Sequence, residues 1–409
     1  MYLDAAATTP VRPEALAAMW PYLTGDFGNP SSHHTVGESA ARGLRDARAS
    51  VARWLGCRAS EVVFTSGGTE ADNLAVKGIA LGNPRGRHIV TTRIEHEAVL
   101  GSVEYLRGHH GFAVSFVEVD EVGSVHPDAL RAALRDDTTL VSIAHANNEV
   151  GTVQQLEGLT AVTRDARIPF HTDAVQTAGW LDLDVSRLGV QAISLSGHKL
   201  GAPKGIGVLQ ISGKLDLEPV VHGGGQERGR RSGTENVAGA VALGAVVGLA
   251  ETDRVARAAR AAAVRDGFIG RVAALVPESR LTGAVPGVLT GAVPGVLPGV
   301  GVSATGVVGA VPPAERLPAS ASFVFPGTSG ESVLLELERR GIVSSSGSAC
   351  AAGSDDPSHV LVALGYPPDI ARTAVRFTWA ADVDADRMAE VAVALAAAVA
   401  AVGGLGAMA

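Results

Sequence analysis

A lysine and an aspartate stand where two short apolar runs of this sequence end. Lys199 follows the run 192–195, and Asp173 follows the run 168–170. Apolar runs that end in polar residues are typical of buried parallel strands at their carboxyl ends, the edge where open α/β sheets bind ligands. This pair suits pyridoxal phosphate, because the lysine could form a Schiff base while the aspartate keeps the pyridine nitrogen protonated. The alternative is a surface Lys-Gly turn beside an unrelated aspartate.

A glycine-rich turn follows an earlier apolar run. Residues 65–70 read TSGGTE; they come directly after the run 62–64 and precede a segment with helical spacing. Such a turn presents backbone N–H groups and hydroxyls at a helix N-terminus, where phosphates bind. Many turns of this composition are only tight strand-to-helix connections, so the motif alone leaves both interpretations open.

Two further polar residues occupy the same kind of position. His96 comes shortly after a predicted strand, which would let its imidazole lie over the pyridine ring, and Asn148 follows another apolar run. A lone histidine at such a position is more often a satisfied polar group than a catalyst. Together with Asp173 and Lys199, however, these residues give four polar side chains that each follow the end of a predicted strand. That shared position favours a single site.

A cysteine lies in a stretch of small residues near the C-terminal end. Cys350 sits within SSSGSACAAGS, residues 344–354, and such a loop could carry a thiol to the cofactor and away again. A thiolate nucleophile needs a lowered pKa or a nearby base. The alternative, a buried small hydrophobe, fits poorly with so many serines and glycines. The other cysteine, Cys57, lacks this setting and is interpreted as a passive thiol.

The elements that must position these residues alternate along the chain. Strands are predicted at 61–64, 88–92, 113–119 and 139–144, and helices at 36–55, about 249–276, 332–340 and from 384 onward. This alternation predicts an α/β fold with a mostly parallel sheet flanked by helices. We predict a large cofactor-binding domain at 15–250. A smaller domain would comprise 1–14 and 251–409, with a mobile cysteine loop at about 344–356.

One region does not fit a compact fold. The octapeptide LTGAVPGV at 281–288 repeats unchanged at 289–296, and Gly, Pro and Val continue to about 313. Glycine and proline at this density disfavour both helix and central strand. We interpret 281–313 as a flexible surface insertion between two strands of the small domain, with a lid or a partner-docking segment as the alternative.

Composition narrows the class further. The 409 residues are 46% apolar and 19% charged, enough to bury a large core, and the formal charge of −8 argues against a nucleic-acid or anionic-membrane binder. Two cysteines exclude a disulfide framework and a cysteine-rich zinc site. We expect no catalytic metal, no signal peptide and no membrane span, and therefore a cytoplasmic protein.

Taken together, the motifs resemble those of the cysteine desulfurases of the class V aminotransferase family, over nearly the whole chain. The matching segments are AATTP (6–10), FGNPSS (27–32), TSGGTEADN (65–73), EHEAV (95–99), NNEVG (147–151), HTDAVQ (171–176), SGHK (196–199), HGGGQERGRRSGTEN (222–236) and SSGSAC (345–350). This resemblance implies pyridoxal-phosphate transferase fold type I, with a smaller α+β C-terminal domain. Departures from the family pattern are the insertion and the Ala-rich C-terminus, which puts docking of an iron–sulfur scaffold on the tail in doubt.

The resemblance also implies roles for individual residues. The residues implied to bind the cofactor phosphate are Gly68, Thr69, Ser196 and His198, joined by Thr234 from the neighbouring subunit of a homodimer. Gln176 would contact the phenolic oxygen of the cofactor, and His96 would stack on its ring. Asn148 would lie at the cofactor and, with Arg376, bind the substrate carboxylate.

The implied reaction removes sulfur from L-cysteine. Lys199, aided by His96, would move the proton from the α-carbon, and the Cys350 thiolate would take the sulfur, leaving L-alanine and a persulfide. The sulfur would pass to an acceptor protein: an iron–sulfur scaffold or a component of tRNA or DNA sulfur modification. A selenocysteine lyase, another class V aminotransferase and a non-enzymatic scaffold of the same fold are the alternatives.

Overall fold

The structure is a computed structural model that describes residues 1–83, 85–287, 315–347 and 356–406. Cys350 and most of the Gly/Pro/Val-rich insertion lie outside the described residues. The predictions made for the cysteine loop and for the insertion therefore stay predictions.

Seven of the strands in the described residues build one large sheet. In chain order the strands are β1 Val62–Thr65, β2 His88–Thr92, β3 Ala113–Val117, β4 Thr138–Ser142, β5 Thr152–Val153, β6 Phe170–Asp173, β7 Ala192–Ser196, β8 Gly207–Ile211, β9 Arg280–Leu281, β10 Glu315–Arg316, β11 Ser320–Val324 and β12 Ala374–Thr378. The large sheet has the order β1-β8-β7-β6-β4-β2-β3, and only β8 in it runs antiparallel to its neighbours. This arrangement confirms the predicted mostly parallel sheet.

Helices cover the large sheet and pack on one another. The helices in chain order are α1 Pro13–Thr24, α2 Thr35–Trp54, α3 Gly68–Gly82, α4 Glu97–His110, α5 Pro127–Ala133, α6 Leu156–Asp165, α7 Val185–Leu188, α8 Val237–Thr252, α9 Arg254–Leu275, α10 Gly330–Arg339, α11 His359–Ala363, α12 Pro368–Ala371 and α13 Ala385–Gly406. Helix α2 buries Ala40, Leu44, Ala47 and Val51, which repeat at helical spacing and so form one apolar stripe. Leu44, Ala47 and Val51 of this stripe belong to the core shared with β1, β7 and α8.

A second core surrounds a three-stranded antiparallel sheet, β12-β11-β9. At its centre the ring of Phe268, from α9, meets the ring of Phe377 edge-on, with centroids 5.3 Å apart. Leu3 packs in this core, which ties the first residues of the chain to its last third. Strand β10 instead pairs with β5, beside the segment that carries Asn148.

Candidate functional site

The turn between β1 and α3 is built for close approach. A Cβ added to Gly68 would lie 2.9 Å from Val175 Cγ2 and 3.4 Å from Ser196 Cβ. The first backbone hydrogen bond of α3 runs from Ala71 N to Gly67 O, so the amides of Gly68 and Thr69 belong to a first turn without intrahelical acceptors. Glycine thus lets a helix N-terminus and the end of β7 approach each other, as an anion cradle requires.

Asp173 ends β6 and faces the site with part of its surface exposed. Its Oδ1 accepts a hydrogen bond from Val175 N at 2.9 Å. Burial of the carboxyl raises the pKa of Asp173, while that hydrogen bond and the neighbouring side chains of His96 and Lys199 act in the opposite direction. His96 and Lys199 are therefore close enough to Asp173 to influence its carboxylate, and the three predicted strand-exit residues share one electrostatic environment.

Lys199 lies in a 3₁₀ turn that directly follows β7. Its Nζ donates to the carbonyl oxygens of Ala6 and Ala7, the latter at 2.7 Å. Gln176 Nε2 also donates to Ala6 O, at 3.2 Å. Both side chains line a cavity of about 210 Å³. The N-terminal segment therefore packs over the lysine, and its carbonyl oxygens hold the amine in place.

His198 precedes the lysine and is held by the same segment. Its Nδ1 lies 3.1 Å from Thr8 Oγ1, and its carbonyl oxygen accepts from Thr9 N and Thr9 Oγ1. Burial and the charges of Lys199 and Lys204 lower the pKa of His198 to about 4. The imidazole is therefore neutral near pH 7, and it can donate one hydrogen bond.

His96 caps the N-terminus of α4. Its Nδ1 accepts a hydrogen bond from Ala98 N at 3.1 Å. This bond fixes the imidazole plane at a strand exit, with Nε2 as the remaining polar atom of the ring. The position agrees with the predicted one, and stacking on a cofactor stays a prediction.

Arg376 connects the segment that carries Asn148 with the N-terminal segment that carries Asp4. This arginine of β12 is 2% exposed, and its guanidinium donates to Asn148 O at 2.8 Å and to Asp4 Oδ1 at 2.9 Å. Its Nε is buried without a hydrogen-bond partner. A buried cationic donor of this kind is a ready partner for an anionic group. The structure thus brings Arg376 to the backbone of Asn148, and their shared binding of a substrate carboxylate stays a prediction.

The arginine-rich loop at 222–236 is anchored within its own subunit. Arg231 pairs with Glu70 at 2.7 Å, and Arg228 and Arg230 donate to the carbonyl oxygen of Ser60. Thr234, on the same loop, is exposed. The contact of Thr234 with a neighbouring subunit's phosphate remains a prediction, and Cys350 lies outside the described residues.

Sequence reasoning missed a group of buried carboxylates around the site. Glu95 is 1% exposed and accepts hydrogen bonds from Thr92 Oγ1 and Ala144 N, at 2.7 and 2.9 Å. Burial raises the pKa of Glu95 to about 8, and burial with the charge of Asp173 raises that of Asp72 well above its usual range. Both residues stand inside the matched motifs, but nothing in the type or spacing of an acidic residue indicates burial.

Within the described ranges, no group of three His, Cys, Asp or Glu side chains is arranged to hold a metal ion. In the same ranges, no helix has the length and apolarity needed to cross a bilayer.

Comparison with known proteins decides the family. Residues 1–281 match the family "Aminotransferase class-V". A cysteine desulfurase IscS from Dictyoglomus turgidum is 40% identical over 379 residues, which are 92% of this chain and 89% of the relative. The chain belongs to the cysteine desulfurases of the class V aminotransferase family.

Solved structures agree with this assignment. A NifS-like protein superposes with a TM-score of 0.84 at 32% identity, covering 98% of this chain and 99% of the other. The structure of SspA in complex with cysteine superposes with a TM-score of 0.75 at 33% identity, covering 92% and 98%. The predicted fold type I is thereby confirmed for this cysteine desulfurase.

Proposed function

We propose that this cysteine desulfurase uses pyridoxal phosphate to convert L-cysteine into L-alanine and a persulfide on Cys350. The observation that carries the proposal is the arrangement of Asp173 and Lys199 at the ends of the neighbouring strands β6 and β7, with Ser196 of the anion cradle three positions before Lys199. A charged pair beside an anion cradle suits a cofactor that has a ring nitrogen, a carbonyl carbon and a phosphate.

The residues fit this cofactor in three ways. The turn at Gly68 leaves no room for a Cβ and brings helix amides to the end of β7, so a phosphate would bind there with Ser196, Thr69 and His198. The Asp173 carboxylate would hold a proton on the ring nitrogen. When bound through Lys199, the cofactor supplies an electron sink for bonds at the substrate α-carbon.

Lys199 is the residue proposed to move the substrate proton. During the reaction Lys199 Nζ would take the proton from the substrate α-carbon and return it elsewhere on the same face. The carbonyl oxygens of Ala6 and Ala7 already orient the amine. His96 would cover the ring and exclude water from this step.

The substrate carboxylate would bind between Asn148 and Arg376. The partnerless Nε of Arg376 offers a buried donor, and the guanidinium also contacts the backbone carbonyl oxygen of Asn148. A charged hydrogen bond in a buried setting contributes about 1.5–3 kcal/mol. A structural relative, SspA, has been solved in complex with cysteine, which supports an amino acid of this size as substrate.

Cys350 would perform the sulfur transfer. Its thiolate attacks the sulfur of L-cysteine, so that an S–S bond forms while the C–S bond of the substrate breaks. The carbon keeps the electron pair of the broken bond and takes up a proton to become the methyl group of alanine. The enzyme is left with a persulfide, and a thiol of an acceptor protein later receives the outer sulfur.

Assembly and location complete the proposal. Thr234 would reach the phosphate of the neighbouring subunit, which requires a homodimer. A reducing cytoplasm suits an enzyme that depends on a free thiolate. The acceptor would be an iron–sulfur scaffold or a component of tRNA or DNA sulfur modification.

The variant Cys350→Ser tests the function. We expect it to keep the absorbance band of the bound cofactor and the spectral change on adding L-cysteine, yet to form no alanine from it. Cys57→Ser serves as the matched control and should form alanine like the wild type. Alanine production by Cys350→Ser at the wild-type rate would exclude the proposed sulfur transfer.

A further inference from the structure

A group of buried polar side chains lies between helix α3 and the strands that lead to the site. His171, two positions before Asp173 on β6, is fully buried. Its Nδ1 lies 2.9 Å from Ser142 Oγ on β4, and its Nε2 lies 2.9 Å from Ser194 Oγ on β7. Asp72 of α3 is 1% exposed, and its Oδ1 lies 3.7 Å from His171 Nε2. We call Ser142, His171, Ser194 and Asp72 the buried array.

The hydrogen bonds of the buried array run in one direction. The Ser194 hydroxyl donates to the Asp72 carboxyl, and because Oδ1 of that carboxyl has no hydrogen-bond partner, the bond falls on Oδ2. A serine has a single hydroxyl proton, so Ser194 Oγ accepts from His171 Nε2, and His171 Nδ1 accepts from Ser142 Oγ. The array thus contains a neutral imidazole and ends at the Asp72 carboxyl.

Two successive contacts connect α3 with β7. Gly68 and Asp72 are four positions apart and so share one face of the helix, while Ser194 and Ser196 are two apart and share one face of the strand. A Cβ added to Gly68 would lie 3.4 Å from Ser196 Cβ, and Asp72 is bonded to Ser194. The first contact forms the anion cradle, and the second lies about one helical turn further along α3.

The second contact is level with Asp173. Asp173 and Ser194 are register partners of β6 and β7, and Ala174 N donates to Ser194 O at 3.0 Å. The buried array therefore fixes the separation of helix and sheet beside the carboxylate proposed to hold the ring nitrogen. The glycine contact fixes the same separation at the cradle proposed to bind the phosphate.

The buried array carries no charge near neutral pH. Burial raises the pKa of Asp72 well above its usual range; the charges of Asp173 and Glu95 add to this, and the bond from Ser194 acts against it. Burial also lowers the pKa of His171 to about 3. Apolar side chains of similar volume commonly pack at least as stably as buried polar groups do. Packing alone therefore does not explain why this interface is polar.

We propose that Asp72 is a positioning residue for cofactor binding: through the buried array it sets the span between the anion cradle and the carboxylate of Asp173. The inference rests on the proposed use of pyridoxal phosphate. A ligand that occupies only the cradle, or only the Asp173 end, does not depend on this span. Only a ligand that bridges both ends should lose affinity when the array is broken.

The test measures the two ends separately and together. Apoenzyme of the full chain is titrated with pyridoxal phosphate, with pyridoxal, which lacks the phosphate, and with inorganic phosphate as a competitor. Wild type is compared with Asp72→Leu, Ser194→Ala and Asp72→Asn, and the matched control is Asp46→Asn, at an exposed aspartate of α2. Absorbance reports binding, and the pH dependence of the bound-cofactor absorbance is recorded for each protein. Urea unfolding of each apoenzyme checks that it is folded.

Asp72→Leu should weaken binding of pyridoxal phosphate by about 10- to 100-fold, the contribution of one charged hydrogen bond. Pyridoxal and inorganic phosphate should each bind within about twofold of wild type, because neither bridges the two ends. Ser194→Ala breaks the same contact with little change in volume, so it should show the same pattern with a smaller loss. It also keeps the test valid if Asp72→Leu does not fold.

Asp72→Asn provides the rescue. Its amide is uncharged, like the protonated acid, and keeps an acceptor for Ser194. This variant should bind pyridoxal phosphate as wild type does, and the pH dependence of its absorbance should overlay that of wild type. Asp46→Asn should behave in the same way.

Other results would overturn the inference. Unchanged affinity for pyridoxal phosphate in Asp72→Leu and Ser194→Ala would show that the span does not depend on the array. An equal loss for all three ligands would reduce Asp72 to a residue that supports the cradle. An altered pH dependence in Asp72→Asn would contradict the uncharged array. If wild-type apoenzyme does not bind pyridoxal phosphate, the proposed function fails instead, and the two failures are therefore distinct.

Discussion

The two halves of the site are built differently. The half proposed to bind the cofactor consists of residues at the ends of adjacent strands and in the helix turn beside them, with Asp173 on β6 and Lys199 just past β7. The half proposed to bind the substrate is centred on Arg376, whose guanidinium donates to Asp4 and to the carbonyl oxygen of Asn148. The first half is thus made by sheet geometry, and the second by contacts between distant parts of the chain. Substitutions in the first half should therefore abolish the reaction, whereas substitutions in the second half should weaken substrate binding.

The largest effect is expected in the cofactor half. Lys199→Ala should lower alanine formation from L-cysteine by at least about 10⁴-fold, because it removes the residue proposed as both the covalent anchor and the general base. The measurement is the rate of alanine release, with cofactor absorbance recorded in parallel. Lys204→Ala, an exposed lysine five positions along, is the control and should retain the wild-type rate. Wild-type activity in Lys199→Ala would contradict this division of roles.

A smaller and different effect is expected in the substrate half. Arg376→Lys should raise KM for L-cysteine by about 10- to 100-fold, since one charged hydrogen bond contributes about 1.5–3 kcal/mol. The planar guanidinium also contacts Asp4 and Asn148, and a lysine cannot make both bonds in the same geometry. Steady-state kinetics measure the change, with the exposed Arg372→Lys as control. A fall in kcat at unchanged KM would place Arg376 in the chemistry instead.

The difference between the halves also shows what sequence reasoning can reach. Lys199, Asp173 and the turn at Gly68 each follow an apolar run directly, and that local signal predicted both the strands and the edge of the sheet. The reversed direction of β8 also has a local cause, because only residues 197–206 connect it to β7.

Long-range contacts could not be predicted in this way. Arg376 and Asp4 are 372 positions apart, and Ser358 and Glu149 are 209 apart. No spacing rule connects such residues; the resemblance supplied Arg376 as a substrate ligand but not its bond to Asp4. The buried state of Glu95 and Asp72 was also hidden, since acidic residues are usually exposed.

The buried carboxyl group of Glu95 should make the free energy of unfolding depend on pH. Burial raises the pKa of Glu95 to about 8 from a usual 4.5, so the native state keeps a proton that the unfolded chain has already lost. Between these two values the free energy of unfolding of wild type should therefore fall as pH rises, and above about pH 8 this contribution should be constant. Glu95→Gln has no such proton to lose.

Urea unfolding of both proteins measures this effect. The stability of Glu95→Gln relative to wild type should increase from pH 5.5 to pH 7.5, by up to about 1.4 kcal/mol per pH unit. Burial lowers the pKa values of His145 and His171 to about 4 and about 3, which gives an opposite slope in acid. Both proteins contain these histidines, so their contribution cancels. A difference that does not change with pH would contradict the assigned protonation of Glu95.

The smallest effect is expected outside both halves. Cys57 is half-buried, and burial together with the charges of Glu61 and Asp184 raises its pKa to about 12. A thiol of this kind stays protonated and unreactive near pH 7. Cys57→Ser should therefore leave activity unchanged and alter stability by about 1 kcal/mol or less, as unfolding curves and alanine assays would show. A large loss of activity would point to a role for this cysteine in sulfur transfer.

One measurement tests the central claim most directly. The purified enzyme is incubated with L-cysteine in the absence of reductant, and its peptides are analysed by mass spectrometry while alanine is assayed in the same sample. The account predicts one added sulfur atom on the peptide that contains Cys350, in proportion to the alanine formed. Alanine without sulfur on Cys350, or sulfur on Cys57 instead, would contradict it.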